Sequence, residues 1–242
     1  MTGAKSRSRQ VTKPPVAAKK KKAWRESKAH QRERAERIVA LLDRTYPSAL
    51  CSLAHRNPFE LLIATILSAQ CTDARVNLVT PALFAEAPTP SQLAALPLAR
   101  VEELVHTTGF FRNKAKNIRG AAERICKVFG GHVPVEMDDL LSLPGVARKT
   151  ANVVRGTAFG VATGIVVDTH VTRIANLLKL STSRDAKRIE KDLMALIPKS
   201  HWIRWTHQVI EHGRQVCIAR RPRCDACVLA PHCPSAVNAL PA

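Results

Sequence analysis

Apolar residues recur at helical spacing along most of this chain, in short segments that proline and glycine separate. A segment that begins after Pro58 and one that ends at Gly130 carry the usual start and stop signals of helices. Only Ile165–Val167 resembles a strand, and three residues are too few to define one. Aromatic residues make up 4% of the chain, so the core must consist of Leu, Ile, Val and Ala.

Because Leu and Ala favour helix over strand, the pattern predicts an all-α fold with about ten helices of modest length. An apolar stripe at 38–42 marks the first of them. The other predicted helices cover 59–70, 74–84, 91–96, 101–107, 114–129, 138–143, 149–159, 189–197 and 202–213.

The net charge of +19 points to a polyanionic partner, and nucleic acid is the commonest one. Residues 1–37 carry thirteen Lys and Arg against three Glu, and the remaining residues still carry twenty-five against sixteen acids. An acidic membrane surface is the competing partner. The chain has no basic amphipathic segment with a bulky apolar face, and it has no run of about 18 apolar residues that could span a membrane.

Residues 1–28 are predicted to form a disordered basic arm, because the stretch TKPPVAAKKKK at 12–22 has nothing to bury. A solvated tail and a DNA tether fit this composition equally well. A transit peptide fits less well, because the charge comes largely as a lysine run. The basic start lacks an apolar segment behind it, so we expect no secretory signal.

Four of the seven cysteines lie within 17 residues, whereas a disulfide framework would spread its cysteines along the chain. Their pattern, C-x6-C-x2-C-x5-C, indicates one metal site in a reducing compartment. Tetrahedral sulfur ligands suit either zinc or an iron–sulfur cluster, and the spacing alone does not choose between them. Cys51, Cys71 and Cys126 are interpreted as small core residues. The four proposed ligands are Cys217, Cys224, Cys227 and Cys233.

The stretch from Leu140 to Ala151 predicts a helix, a tight Pro-Gly turn and a second helix. The backbone amides and the dipole at the start of the second helix favour an anion there, and a DNA phosphate fits without any reading of bases. Lys149 lies in the first turn of that helix, where the dipole disfavours the ammonium form. A neutral amine can attack carbon, so Lys149 is a candidate nucleophile; the competing interpretation is a surface lysine that contacts phosphate.

Asp168 follows the apolar run at 165–167 and precedes a further predicted helix. The simple interpretation is an N-cap, a common role of aspartate. A catalytic carboxylate is compatible with that role. A helix running out and a loop returning can bring Asp168 and Lys149 into one cleft, although nineteen residues separate them.

Together these features resemble the helix–hairpin–helix DNA glycosylase superfamily, and most closely its endonuclease III branch. The matching segments are LSAQCTD at 67–73, LPGVARKTAN at 143–152, VDTH at 167–170 and the cysteine tail. They span about residues 30–234, and their combination is highly specific. One departure is Ala147, which stands where the family usually has a second glycine. Alanine would be disfavoured there if the position needs a positive φ.

The resemblance implies a bifunctional DNA glycosylase and abasic-site lyase that acts on oxidised pyrimidines. Lys149 would attack C1′ of a flipped-out nucleotide, with Asp168 stabilising the cationic sugar and sharing the lysine proton. A Schiff base would follow, and β-elimination would nick the strand. The resemblance also implies that the four cysteines hold a [4Fe–4S] cluster, which we expect to be structural.

The same resemblance implies a set of DNA contacts. Gln70 would fill the gap left by the flipped base, and the competing interpretation is an exposed residue at a helix end. Phe110 would wedge into the stack, and core packing fits this residue equally well. His170 lies near the cleft by match, where a solvated or capping role competes. The hairpin positions that would bind phosphate are Gly145, Ala147 and Thr150. The basic loop between the first two cysteines would add phosphate contacts from Arg220, Arg221 and Arg223. The competing interpretation is that these arginines only balance the charge of the cluster.

Two helical domains with a cleft between them are the architecture that the resemblance implies. A six-helix domain with the hairpin covers 51–162, and the cluster domain combines 30–50 with 163–234. The expected partner is double-stranded DNA with damaged bases or abasic sites, bound by a monomer. If the source is bacterial, the expected location is the cytoplasm, at the nucleoid.

Three alternatives remain open at this point. A pyrimidine-dimer glycosylase on the same scaffold would use the same catalytic pair. A mismatch-adenine glycosylase fits less well, because its relatives lack this lysine and carry a further C-terminal domain. A DNA-binding protein with a zinc-stabilised tail and no activity is allowed by the charge and the hairpin, but the pairing of Lys149 with Asp168 argues against it.

Overall fold

The computed structural model describes residues 24–236, and this part of the chain contains eleven α-helices and no strand. The expected all-α class is therefore confirmed, and the apolar triplet Ile165–Val167 runs as unpaired backbone. The helices are α1 Lys28–Thr45, α2 Pro58–Leu67, α3 Asp73–Glu86, α4 Pro90–Ala95, α5 Leu98–Val105, α6 Phe111–Phe129, α7 Met137–Leu141, α8 Arg148–Phe159, α9 Thr169–Leu177, α10 Ala186–Met194 and α11 Trp202–Gln215.

Helix ends follow the local sequence signals closely. Pro58 is the first residue of α2, and the side chain of Asn57 before it caps the helix by accepting a hydrogen bond from Glu60 N at 2.9 Å. Gly130 ends α6 in the left-handed conformation that favours glycine. Pro81 is an exception, since α3 continues through it to Glu86.

Two hydrophobic cores organise these helices. The first is built from residues between Leu53 and Val154 and includes the fully buried Leu62 and Ile118. The second joins α1 to the C-terminal helices, and the largest of its fully buried side chains is Trp205 of α11. A cleft lies where the two cores meet, and residues of both line it.

The segment in front of α1 is anchored through Glu26. Glu26 forms an ion pair with Arg34 at 2.6 Å, and both side chains are almost fully buried. Ser27 caps α1 by accepting a hydrogen bond from His30 N at 3.2 Å. Of the predicted basic arm, residues 1–23 lie outside the described residues, and residues 24–28 differ from the expectation of disorder because Glu26 has a buried partner. Among the described residues, no helix has both the length and the apolar character needed to cross a bilayer.

Candidate active site

The cleft between the two cores has a volume of about 950 Å³. One wall comes from the segment 68–77 and from α8, and the other comes from the segment 166–170 and from α11. The four predicted site residues that line it are Lys149, Asp168, Gln70 and His170. The structure thus brings the proposed nucleophile and its carboxylate partner to one cavity from two different segments.

Lys149 is the second residue of α8 and is exposed to solvent at the cleft. Ala147 occupies the N-cap position, and no side chain caps the first turn of α8. The backbone N–H groups of that turn lack a side-chain acceptor, so they are available to an anion such as phosphate.

The turn before α8 depends on a glycine. Gly145 has a φ of +77°, and a Cβ atom there would lie only 2.8 Å from Cβ of Asn117 on α6. Ala147, the position where the family usually has a second glycine, has a φ of −99° and extended backbone. The alanine is therefore unstrained, because the residue needs no positive φ. Thr150 follows on α8, half-buried and outside the lining of the cleft.

Asp168 is both a helix cap and a residue of the cleft. Its Oδ1 accepts a hydrogen bond from the backbone N–H of Val171 at 2.7 Å at the start of α9. Within residues 24–236, its second carboxylate oxygen has no hydrogen-bonding partner. The helix cap fixes the direction of the carboxylate through one of its two oxygens, in a residue that lines the cleft.

Gln70 and Phe110 share a left-handed backbone, with φ values of 51° and 56°. Both are exposed, and Phe110 retains 68% of its surface, so core packing is not its role. Their two loops are adjacent, because a Cβ atom on Gly109 would lie 3.8 Å from the carbonyl oxygen of Gln70. Two non-glycine residues in this conformation at neighbouring loop tips mark strain of the kind found at functional sites.

His170 is the second residue of α9, and its side chain is half-buried against α11. A Cβ atom on Gly213 would lie 2.7 Å from Nδ1 of His170, and this nitrogen has no hydrogen-bonding partner among the described residues. Burial lowers the pKa of His170, against the opposing effect of the Asp168 carboxylate. Burial thus disfavours the charged form of this histidine beside the cleft.

One ion pair joins the two walls of the cleft, and the sequence analysis did not assign it. Nη2 of Arg214 on α11 lies 2.7 Å from Oδ2 of Asp73 at the start of α3, and the hydroxyl of Ser52 donates to the same oxygen. Both side chains are partly exposed, so the pair contributes at most about 1 kcal/mol. Its effect is geometric, since it ties the loop that carries Gln70 to the opposite wall.

The four clustered cysteines line a second cavity, of about 100 Å³, at the edge of the second core. Burial raises the pKa of the Cys217 thiol to about 11, and burial also raises those of Cys224 and Cys227, with neighbouring cysteines adding to each effect. Four thiols that face one cavity fit a cationic inorganic group, because such a group offsets the cost of their deprotonation. Within the described range, no three of the His, Cys, Asp or Glu side chains converge closely enough to bind a single metal ion.

Polar side chains from other segments also contact the cysteine segment. Nε2 of His212 lies 3.6 Å from Sγ of Cys227, and Nδ1 of the same ring lies 3.0 Å from the hydroxyl of Tyr46. Nη2 of Arg173 donates to the carbonyl of Cys217 at 2.6 Å. Helices α9 and α11 therefore contact the cysteine segment directly, and Tyr46 at the end of α1 supports the His212 ring.

The basic loop between the first two cysteines is exposed. It borders an open concavity on the surface whose lining residues are all different from those of the cleft. Asp225 borders the same concavity, so an acid lies close to the loop although none lies within it. The three basic side chains are Arg220, Arg221 and Arg223.

Comparison with known proteins places this geometry in a family. Residues 63–199 match the model of the HhH-GPD superfamily of base excision DNA repair proteins. The chain belongs to this superfamily. It is 54% identical to endonuclease III of Synechocystis over 86% of this chain and 95% of that protein.

Two solved structures support the same assignment. A non-covalent endonuclease III–DNA complex and a trapped endonuclease III–DNA covalent intermediate each align with a TM-score of 0.81 and 42% identity. Each alignment covers 86% of this chain, with 97% and 98% of the respective solved chains. The expected endonuclease III branch is confirmed, and with it a base excision repair enzyme of the DNA glycosylase and abasic-site lyase class.

Proposed function

We propose that this endonuclease III relative removes damaged bases from duplex DNA with Lys149 as the nucleophile and Asp168 as its carboxylate partner. The observation that carries the proposal is that both side chains line one cleft although they come from segments on either side of it. The relatives with solved structures include a covalent enzyme–DNA intermediate, as an amine nucleophile requires.

The chemistry begins when the neutral amine of Lys149 donates its electron pair to C1′ and the bond from C1′ to the base breaks, with its electrons leaving on the base. The carboxylate of Asp168 stabilises the positive charge that develops on the sugar and accepts a proton from the attacking amine. Opening of the sugar ring gives a Schiff base. Loss of a proton from C2′ then breaks the bond between C3′ and the oxygen of the 3′ phosphate, and this elimination nicks the strand.

DNA contacts surround the cleft in this proposal. The backbone amides of the first turn of α8 bind a phosphate. This turn belongs to the hairpin that contains Gly145, Ala147 and Thr150. Gln70 and Phe110 enter the space left by the flipped nucleotide, in keeping with their exposed positions on adjacent loops. The net charge of +19 supplies the attraction to the DNA backbone.

We propose that the four cysteines hold a [4Fe–4S] cluster. The all-thiol donor set and the shared cavity fit a cluster as well as they fit zinc, and the membership in the endonuclease III branch is what favours the cluster. When bound, the cluster would cross-link four points of the segment 217–233 that follows α11. It would thereby fix both ends of the loop that carries the exposed arginines between Cys217 and Cys224, which we expect to contact phosphate. A Cys224→Ser protein should lose iron and the brown colour and should unfold more readily; full iron content would contradict this ligand assignment.

Two features of organisation complete the proposal. The two hydrophobic cores support a division into a six-helix domain at 51–162 and a cluster domain at 30–50 and 163–234. We expect the enzyme to act as a monomer on double-stranded DNA and, if the source is bacterial, to lie in the cytoplasm at the nucleoid.

Oxidised pyrimidines are the proposed substrates, and a direct comparison of duplexes tests this. Three duplexes of one sequence would carry thymine glycol, a cyclobutane dimer or an abasic site. We expect release of thymine glycol and nicking of the abasic duplex. Nicking of the dimer duplex without release of thymine glycol would establish the pyrimidine-dimer alternative. Nicking of the abasic duplex alone would leave a lyase without the proposed glycosylase specificity.

A further inference from the structure

Glu190 on α10 is a nearly buried carboxylate that reaches across to the helix carrying Lys149. Its side chain is 13% exposed. Oε1 accepts a hydrogen bond from Nδ2 of Asn152 at 3.3 Å, and Oε2 lies 4.0 Å from Nε of Arg148. Arg148 and Asn152 are both on α8, one immediately before Lys149 and the other three residues after it.

The same carboxylate also contacts the segment that leads to Asp168. Gly164, four residues before Asp168, has no side chain, and a Cβ atom placed there would collide with Oε1 of Glu190. Thr163 donates its hydroxyl hydrogen to Oδ1 of Asn152 at 3.3 Å, which leaves the Nδ2 group of Asn152 to donate to Glu190. One side chain therefore joins α8, α10 and the connection between α8 and α9.

We propose that Glu190 is a positioning residue that sets the placement of Lys149 relative to Asp168. The inference rests on the proposed function, because it concerns the same catalytic pair. Glu190 lies in neither segment that carries the pair, and its oxygens contact α8 on both sides of Lys149 and the backbone leading to Asp168. Displacement by 1 Å of a reacting group can lower a rate about 100-fold, so a contact of this kind has a measurable effect without touching DNA.

The burial of Glu190 supports a role that depends on shape. Burial raises the pKa of this carboxyl, with Arg148 and the Asn152 hydrogen bond acting in the opposite direction. A buried carboxylate costs free energy unless it is paired, and its cationic partner here is half-exposed. A glutamine at position 190 would keep an oxygen at the distance that Asn152 contacts. An aspartate there would keep the charge, but its side chain is shorter by one methylene, so the carboxylate would lie farther from Asn152.

The pair of variants Glu190→Gln and Glu190→Asp tests the proposal. The rate of borohydride trapping on an abasic duplex would be measured in single turnover, together with the dissociation constant for a duplex carrying an uncleavable abasic analogue. We expect Glu190→Asp to slow trapping by about 10- to 100-fold with a dissociation constant within about threefold of the unmodified protein. Glu190→Gln should restore most of the rate, because it restores the contact with Asn152.

A matched control removes another carboxylate partner of α8, one that lies at the start of α7. Glu136 lies 3.6 Å from Arg155 on α8 and belongs to the side of the first core, so Glu136→Ala should trap at the unmodified rate. Trapping by Glu190→Asp at the unmodified rate would overturn the proposal, as would equal losses in Glu190→Asp and Glu190→Gln. Full trapping by Lys149→Ala would instead overturn the proposed function and leave the two failures distinguishable.

Discussion

The Oδ1 atom of Asp168 accepts a hydrogen bond from the backbone N–H of Val171 at 2.7 Å, so the proposed catalytic carboxylate is also the cap of α9. The two roles use different oxygens of one group. They can be separated because asparagine caps helices as well as aspartate does but carries no charge.

Asp168→Asn should keep the fold and lose the chemistry. The amide oxygen still accepts from Val171 N, so the free energy of unfolding should stay within about 0.5 kcal/mol, while Asp168→Ala should lose about 0.5–2 kcal/mol with the cap. Base release should fall by about 10²- to 10⁴-fold in both. Urea unfolding and single-turnover base release measure the two effects, and an active Asp168→Asn protein would show that the negative charge is dispensable.

The hairpin turn offers a matched pair of glycine and alanine positions. Gly145→Ala should lower the free energy of unfolding by about 1–3 kcal/mol and weaken DNA binding, because the residue has a φ of +77° and its Cβ would press on Asn117. Ala147→Gly should leave DNA binding unchanged, because Ala147 already has ordinary extended backbone. Tighter DNA binding by Ala147→Gly would mean that the alanine does limit the phosphate site.

Local signals explain what the sequence could predict. Pro58, Asn57 and Gly130 act within one helical turn, so the ends of α2 and α6 are readable from the chain itself. The positions of Lys149 and Asp168 are readable for the same reason, because a Pro-Gly turn and an N-cap place each at the start of a helix.

Contacts between distant segments explain what the sequence could not predict. Asp73 pairs with Arg214 from 141 residues away, and no spacing rule connects two such positions. Glu190 lies on the amphipathic helix α10, and a glutamate on such a helix is usually solvated. Its burial results from the packing of α10 against the segment that contains Gly164. The exposure of Phe110 likewise depends on its left-handed backbone and its neighbouring loop, since aromatic residues usually pack in cores.

Phe110 should contribute to damage recognition and little to stability. Phe110→Ala and Phe110→Gly both remove the ring, and both should weaken binding to damaged duplexes and slow base release. The reason is that 68% of the surface of Phe110 is exposed and can contact DNA. The glycine variant should be the more stable of the two by about 0.5–1 kcal/mol, because glycine accepts a φ of 56° without strain. Thermal melting and lesion binding test both parts; full base release by either variant would exclude the wedge role.

His207 lines the cleft, and burial lowers its pKa. The folded state therefore binds fewer protons than the unfolded state, so this contribution to stability is present above about pH 6.5 and is lost as the pH falls towards the folded pKa. His207→Gln should lose less free energy of unfolding between pH 7.5 and pH 5 than the unmodified protein. His132→Gln, at an exposed position, is the control; equal pH slopes for the unmodified protein and His207→Gln would contradict the buried neutral histidine.

Lys149 is the residue on which the whole account depends, and borohydride trapping on an abasic duplex tests it most directly. Lys149→Arg is the matched variant, since it keeps the positive charge for DNA and cannot form a Schiff base. We expect the unmodified protein to give a covalent adduct and a nick, and Lys149→Arg and Lys149→Ala to bind the duplex and give neither. Adduct formation in either Lys149 variant would contradict the assignment of the nucleophile.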